Sequence, residues 1–166
     1  MNKKQIIELI LASSLAIIIA ILIRVIFFDT YMVKSNSMEP TFYENDAILL
    51  IRKIFIIGGI NNFDIVVFKK NNSNLVKRII AKEKDEIKIY DGKLYLNNKL
   101  IEYNKYIFSK KENIHLILKE NEYFVLGDNI YDSKDSREFG VIYKKDIIGK
   151  VILIFNPKNR FKLFRN

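Results

Sequence analysis

Two serine hydroxyls stand two positions apart in the segment SNSMEPTF, residues 35–42, in a chain with only 6 glycines and 2 prolines. A serine acts as a nucleophile only when a nearby base accepts its proton. Histidine commonly fills that role, but this chain has a single histidine, His115, which we expect to be an incidental strand or loop residue. If Ser37 is a nucleophile, its base is therefore a residue of another type. An ordinary surface turn is the alternative for this segment.

Lysine is the remaining type of residue for such a base. A lysine accepts protons near neutral pH only when burial lowers its pKa from about 10.4 to around 8, which disfavours the charged form by roughly 3 kcal/mol. Most lysines here lie in charged runs such as AKEKD and are expected to be solvated. Lys77 in NLVKRII differs, because strand alternation places it on one face with Leu75 and Ile79. The alternative is an edge-strand lysine that prevents aggregation.

A third polar cluster, GDNIYDSKDSREFG, occupies residues 127–140 directly after a predicted strand. Its first residues, Asp128 among them, have the composition of a turn. Ser133 offers a hydroxyl, and Asp135 with Arg137 offers an ion pair that could hold a neighbouring lysine in place. A hydrophilic loop without a chemical role is the alternative.

Composition excludes several classes of site. Without cysteine, the chain has no disulfide, no thiolate nucleophile and no cysteine metal site, and one histidine rules out a multi-histidine metal site. We expect neither a metal nor a cofactor. The formal net charge of +9 favours attraction to an acidic partner, either nucleic acid or an anionic membrane, although a basic surface that only aids solubility is the simpler explanation.

Residues 9–28 form an apolar run of twenty residues with one charge, Arg24. About twenty residues suffice for a helix to cross the hydrocarbon core, so the run predicts a transmembrane helix. No pair of small residues with cleavage spacing follows it, which favours an uncleaved anchor. Two lysines precede the helix and predict a cytoplasmic N-terminus. We therefore expect a single-pass anchor in the cell membrane in residues 1–28 and an extracytoplasmic, β-rich domain in residues 29–166.

The rest of the chain has short apolar runs rich in β-branched residues, with lengths typical of strands. Asp91-Gly92 separates two of these runs and is a dipeptide favoured in two-residue hairpin turns. Asn97-Asn98 marks another reversal. The expected fold class is mainly β. The predicted strands are residues 47–51, 64–68, 75–80, 87–90, 93–96, 123–126 and 149–155.

Taken in order behind one N-terminal apolar segment, SNSMEPT, VKRII and GDNIYDSKDSR resemble the serine, lysine and GDN-to-DSR boxes of bacterial type I signal peptidases. FDIVVF and the hairpin IKIYDGKLYLNNKLIE are also similar to that family. The resemblance extends from the anchor to about Phe155. It implies an antiparallel β-sheet catalytic domain of signal-peptidase type behind one transmembrane helix.

The same resemblance assigns roles to the polar residues. It implies that Ser37 is the nucleophile and Lys77 the general base. Ser35 would add its hydroxyl to the Ser37 backbone N–H as an oxyanion hole. Ser133 would hydrogen-bond the lysine amine, while the supporting positions are Asp135, Arg137 and Asp128.

The resemblance also implies how substrate binds. The peptide would lie as an added strand between the segment before Ser37 and the segment before Lys77. Side chains that would form shallow walls around the small residues of the cleavage site are Val33, Met38, Phe42 and Val76.

The implied function is a membrane-bound serine endopeptidase that removes signal peptides from secreted preproteins after small-x-small sites. Its partners would be preprotein signal peptides and anionic membrane lipid, which the basic, aromatic C-terminal segment NPKNRFKLFRN could contact, and no nucleic acid is expected. The alternative is a catalytically degenerate, membrane-tethered β-domain with a binding role.

Several positions depart from the pattern of the family. After the lysine-arginine pair the family usually has a glycine and a Pro-Gly-Asp turn, whereas this chain has Ala81, Glu83 and Lys84 and keeps only the aspartate. Asn36 stands where glycine is common, and Ile130 replaces an arginine after GDN. None of these changes removes a reacting group.

Overall fold

The computed structural model describes residues 2–102, 108–156 and 160–164. It begins with helix α1, Lys3–Phe27, whose N-terminus is closed by a capping box in which Asn2 and Gln5 satisfy each other's backbone N–H groups. No residue of α1 is buried against the other described residues. By length and composition α1 can cross a bilayer. The helix begins earlier than the predicted apolar run and ends one residue sooner, because Phe28 already pairs in a strand.

Strands are the main regular structure of the described chain beyond α1. Their bounds are β1 Phe28–Met32, β2 Ala47–Arg52, β3 Ile65–Lys70, β4 Ser73–Ala81, β5 Glu86–Tyr90, β6 Lys93–Leu96, β7 Lys99–Leu100, β8 Ile114–Ile117, β9 Glu122–Leu126, β10 Ile142–Tyr143, β11 Ile147–Asn156 and β12 Arg160–Leu163. A short helix, α2, spans Ser136–Phe139.

The strands form two antiparallel sheets. The larger has the order β1-β2-β11-β3-β4-β9-β10, with β12 paired to β11, and the smaller has the order β7-β6-β5-β8. Apolar side chains of both sheets are buried in three clusters. A buried ion pair of 2.9 Å between Lys150 and Asp64 ties the beginning of β3 to β11. The expected fold class, a mainly antiparallel β protein behind one apolar helix, is confirmed.

Each of the seven predicted strands is present, within one to two residues at its ends. The hairpin at Asp91-Gly92 is also confirmed, and both residues have the positive φ angles, 49° and 74°, that a type I′ turn requires. The shorter or more polar strands β1, β7, β8, β10 and β12 were not predicted. The C-terminal segment predicted to contact lipid is described only in part, since residues 157–159 and 165–166 lie outside the described residues.

Candidate active site

Ser37 lies in the connection between β1 and β2, in a turn held by the core. Within this turn the Glu39 N–H donates to the Asn36 carbonyl at 2.9 Å, and the Phe42 N–H donates to the Met38 carbonyl at 2.9 Å. The Met38 and Phe42 side chains are fully buried with apolar residues of β2, β3 and β11. Two apolar anchors therefore fix the backbone on which the Ser37 hydroxyl is presented.

Lys77 lies in the middle of β4, opposite Val66 of β3. Leu75 and Ile79, two residues to either side, pack with one apolar cluster, as strand alternation predicts. The side chain is buried, with 3% of the residue exposed. Its Nζ lies 2.5 Å from the Ser37 Oγ, although the two residues are 40 positions apart in the sequence.

The surroundings of Lys77 favour its neutral form. Burial lowers the pKa of Lys77 to about 8, against an ordinary value of 10.5, and the nearby Arg137 guanidinium acts in the same direction. The carboxylates of Asp135 and Asp128 oppose this shift but do not cancel it. About half of the molecules then carry an uncharged amine beside the Ser37 hydroxyl at pH 8. Such an amine can accept a proton.

Two donors are near the hydroxyl of Ser37. The Ser35 Oγ lies 3.2 Å from the Ser37 Oγ. The backbone N–H of Ser37 has no acceptor within the described parts of the chain and is available to a ligand. A carbonyl oxygen bound between these groups would be polarised by both of them.

Strand β9 ends beside Lys77, and the turn after it holds the Ser37 loop. The Asn129 N–H donates to the Ser37 carbonyl at 3.1 Å. Asp128 accepts two hydrogen bonds from Arg78, from Nε at 2.8 Å and from Nη2 at 2.5 Å. The side chain of Asp128 is 0% exposed and that of Arg78 is 5% exposed. The pair locks the turn to β4.

Arg78 was not among the predicted site residues. Its guanidinium also donates to the Phe63 carbonyl at 2.9 Å and to Thr41 Oγ1 at 3.4 Å. It thereby joins the nucleophile loop, the segment before β3 and the turn after β9. The sequence did contain a signal for Arg78, because it is a second charged residue next to Lys77 in an otherwise apolar predicted strand.

Asp135 and Arg137 form the second ion pair of the site. The Arg137 Nε and Nη2 donate to the two carboxylate oxygens at 2.8 and 2.9 Å, and Asp135 also accepts from the Gly127 N–H at 3.0 Å. Arg137 Nη2 further donates to the Ile130 carbonyl at 2.9 Å. The loop is thus braced through backbone atoms at the position where the side chain of Ile130 departs from the family.

The predicted hydrogen bond from Ser133 to Lys77 is absent. The Ser133 Oγ is buried and has no hydrogen-bond partner among the described residues. Its side chain packs against the Cα of Gly127, where a Cβ would overlap both Ser133 and the Ser37 carbonyl oxygen. The amine of Lys77 is instead hydrogen-bonded to Ser37.

A groove of about 460 Å³ opens beside the Ser37 hydroxyl. It lies between residues 31–35, before the serine, and residues 73–77, which end at the lysine. Three of the residues expected as substrate walls, Val33, Met38 and Val76, line it. Phe42 does not line it: this residue is fully buried in the core, with its ring 5.6 Å from that of Phe164.

Hydrogen bonds also stabilise the other places where the sequence departs from the pattern it resembles. Asp85 accepts from the Lys82 N–H at 3.0 Å and closes the turn after β4 without proline or glycine. Asn36 Nδ2 donates to Asp132 Oδ2 at 2.7 Å, which adds a link between the nucleophile loop and the loop after β9.

His115 lies on β8 of the smaller sheet, where its Nε2 is 2.7 Å from Glu86. Within the described residues no cluster of three His, Cys, Asp or Glu side chains could hold a metal ion.

Comparison with known proteins gives consistent matches along the chain. The family model described as signal peptidase, peptidase S26, matches residues 6–156. Signal peptidase I S of Bacillus subtilis is 32% identical, covering 97% of this chain and 95% of that protein. Signal peptidase IB of Staphylococcus aureus is 30% identical, covering 96% of this chain and 94% of that protein.

One solved structure is also similar in sequence. The crystal structure of a signal peptidase I from Enterococcus faecalis is 30% identical and superposes with a TM-score of 0.49, covering 57% of this chain and 98% of that chain.

Replacing Asp128 by alanine should be strongly destabilising, because it leaves the Arg78 guanidinium buried without its charge partner. We expect the free energy of unfolding to fall by about 3–5 kcal/mol. Asp132→Ala is the matched control, since this exposed carboxylate loses one hydrogen bond, and its cost should stay below about 1 kcal/mol. Denaturant titrations of the purified variants compare the two, and equal losses would contradict the assignment.

Replacing Lys77 by methionine should change how stability depends on pH. The folded-state pKa of Lys77, about 8, lies below the unfolded value, so the protonated amine opposes folding at pH values below 8. This penalty, about 3 kcal/mol, disappears as the pH rises from about 8 towards 10.5.

We therefore expect the stability of the parent protein, measured relative to Lys77→Met, to increase over that pH window and to be flat below it. Thermal unfolding followed by circular dichroism gives the difference at each pH. A difference that does not change with pH would mean that the amine is not desolvated.

Proposed function

The chain belongs to the signal peptidase I family of serine endopeptidases, which remove signal peptides, and from this membership we propose that it cleaves preproteins with Ser37 as nucleophile and Lys77 as general base. The observation that carries the proposal is the 2.5 Å contact between the Ser37 hydroxyl and a buried amine whose pKa is about 8. A solvated lysine could not serve, because it would remain almost wholly protonated at neutral pH.

In the proposed acylation step the neutral Lys77 amine accepts the Ser37 hydroxyl proton, and Oγ attacks the carbonyl carbon of the scissile bond. The Ser37 N–H and the Ser35 hydroxyl donate to the oxyanion that forms. The Lys77 ammonium then gives its proton to the departing nitrogen. The products are a mature protein with a free N-terminus and an ester between the signal peptide and Ser37.

Deacylation uses the same groups, with a water molecule as the nucleophile and the Ser37 oxygen as the leaving group. Lys77, again neutral, takes a proton from a water molecule that attacks the ester carbonyl. The oxyanion donors act a second time, and the proton returns to the Ser37 oxygen as the signal peptide leaves. One lysine thus serves both half-reactions, which is why its pKa must lie near the working pH.

The groove supports a strand-like mode of substrate binding. It runs between residues 31–35 and 73–77, and an extended peptide placed there could hydrogen-bond to backbone on both sides. We propose Val33, Met38 and Val76 as the apolar walls that accept small side chains, which gives cleavage after small-x-small sites. Phe42 supports these walls from the core. Asp128, Asp135 and Arg137 support the dyad.

We also propose membrane attachment through α1. Its 25 residues have a length of about 37 Å, which exceeds the roughly 30 Å of the hydrocarbon core. Residues 1–28 would form the cytoplasmic end and anchor, and residues 29–166 the extracytoplasmic catalytic domain. The signal peptide of a substrate is held in the same bilayer, and anionic lipid is a further partner for a chain of net charge +9.

Removing either member of the dyad should abolish cleavage. We expect Ser37→Ala and Lys77→Met to lower kcat/KM for a small-x-small preprotein by at least roughly a thousandfold, since neither variant can form the activated alkoxide. His115→Ala is the matched control and should keep most activity. The assay uses full-length protein in detergent, with circular dichroism to check folding. No turnover by either Ser37→Ala or the parent protein would favour the binding-domain alternative, and equal turnover by both would overturn Ser37 as the nucleophile.

The pH dependence tests the identity of the base. Only the neutral amine accepts a proton, so kcat/KM should rise about tenfold per pH unit below the pKa of Lys77 and level off above about 8. The profile should be unchanged in His115→Ala. An inflection near the ordinary histidine value of about 6.5 that disappears in this variant would assign the base to His115 instead.

A further inference from the structure

We propose that Lys34 selects substrates by the residue x of the small-x-small site and favours preproteins that carry aspartate or glutamate there. This specificity rests on the proposed function and adds to it. The apolar walls of the groove account for the small residues on either side of x but leave x itself open. Lys34 supplies a preference at that position.

The backbone of Lys34 faces the groove. The Val33 N–H donates to the Asp46 carbonyl at 2.9 Å, and the Val33 carbonyl accepts from the Asn45 N–H at 2.8 Å. Both backbone groups of Val33 are thus directed toward the segment before β2. Successive residues of an extended chain direct these groups to opposite sides, so the N–H and the carbonyl of Lys34 point toward the groove, which Lys34 lines. Neither group has a backbone partner within the described ranges.

The position of the nucleophile determines which substrate residue lies beside Lys34. The carbonyl group that is attacked must lie at the Ser37 Oγ, which is 3.2 Å from the Ser35 Oγ. The small residue that ends the signal peptide therefore lies beside Ser35, and x, one position earlier, lies beside Lys34. The backbone of Lys34 can then hydrogen-bond to the two small residues that flank x.

Side-chain alternation places x on the same face as the Lys34 side chain. Burial alternates along this segment of the protein, because Met32 and Lys34 are exposed while Val33 between them is buried. In an added strand the two small residues point inward with Val33, and x points outward with Lys34. Neighbouring strands are about 4.8 Å apart, a distance that a lysine side chain spans easily.

The charges along the groove favour an acidic residue at x. Lys34 forms no ion pair with any of the described residues. Lys34 and Lys77 are the charged residues among those that line the groove, and none of the lining residues is acidic. On the opposite rim, Ser73 and Asn74 are exposed and uncharged. A carboxylate at x would therefore meet an unpaired cation and no competing anion among the lining residues.

Three versions of one preprotein, with Glu, Gln or Lys at x, test this preference in the full-length protein in detergent. We expect kcat/KM of the parent protein to be about two- to fivefold higher for Glu than for Gln, and lower for Lys than for Gln, as is typical of one exposed ion pair. Lys34→Gln should make the three values equal, and Lys34→Glu should reverse their order. In about 1 M salt the differences should shrink, because the screening length falls to about 3 Å.

Two controls separate a local ion pair from general attraction between opposite charges. Lys99→Gln removes the same charge from β7 of the smaller sheet, away from the groove lining, and should keep the order of the parent protein. A glutamate moved to the second residue after the cut lies roughly 13 Å further along an extended peptide, and its effect should not depend on Lys34. Loss of the preference in Lys99→Gln, or equal dependence on Lys34 at both substrate positions, would overturn the proposal.

The same measurements distinguish failure of this preference from failure of the proposed function. If the parent protein cleaves none of the three preproteins, the proposed function fails and the preference fails with it. If it cleaves all three equally well, the proposed function stands and the role of Lys34 is overturned. An equal loss on all three preproteins in Lys34→Gln, with their order unchanged, would mean that Lys34 maintains the shape of the groove, which would also overturn its role in selection.

Discussion

The structure around the proposed catalytic centre depends on one constraint: a lysine amine must be buried deeply enough to lose its proton near pH 8, yet must still reach a serine hydroxyl. The middle of β4 meets the first requirement, since apolar neighbours surround Lys77 and remove it from water. The turn that carries Ser37 meets the second, because Met38 and Phe42 anchor it in the core and bring Oγ to within 2.5 Å of Nζ. Neither segment could do this alone.

A buried amine keeps its proton if a carboxylate is free to pair with it. Two aspartates lie near Lys77 and raise its pKa, but each is engaged by its own arginine: Asp128 by Arg78, and Asp135 by Arg137. Each carboxylate is thus paired with an arginine, and its effect on the pKa of Lys77 is smaller than the effect of burial. The same two ion pairs fix the loop after β9 to β4, so one arrangement both braces the site and leaves the lysine without a direct anionic partner among the described residues.

The route from α1 to the groove is short. Strand β1 follows the helix without a linker, and the groove begins at Tyr31, near the end of that strand. Phe55 packs on Phe27 at the other end of β2 from the Ser37 loop.

The sequence by itself determined the features that depend on near neighbours. Apolar length predicted α1, alternation and β-branched residues predicted the seven longer strands, and Asp91-Gly92 predicted a hairpin whose positive φ angles these residues accept. The resemblance to a known family, which is a different kind of evidence, led us to expect the pairing of Ser37 with Lys77 and the positions of Val33, Met38 and Val76 beside the groove.

Tertiary structure alone decided other contacts between segments that are distant in the chain. It placed Phe42 in the core, left the Ser133 hydroxyl without a hydrogen bond to any described residue, and paired Arg78 with Asp128 and Lys150 with Asp64. The energy of a buried charge depends on partners that folding brings from 50 or more positions away, and no local pattern records them. Short strands such as β1 and β10 likewise form because neighbouring strands supply their hydrogen bonds, not because of their own propensity.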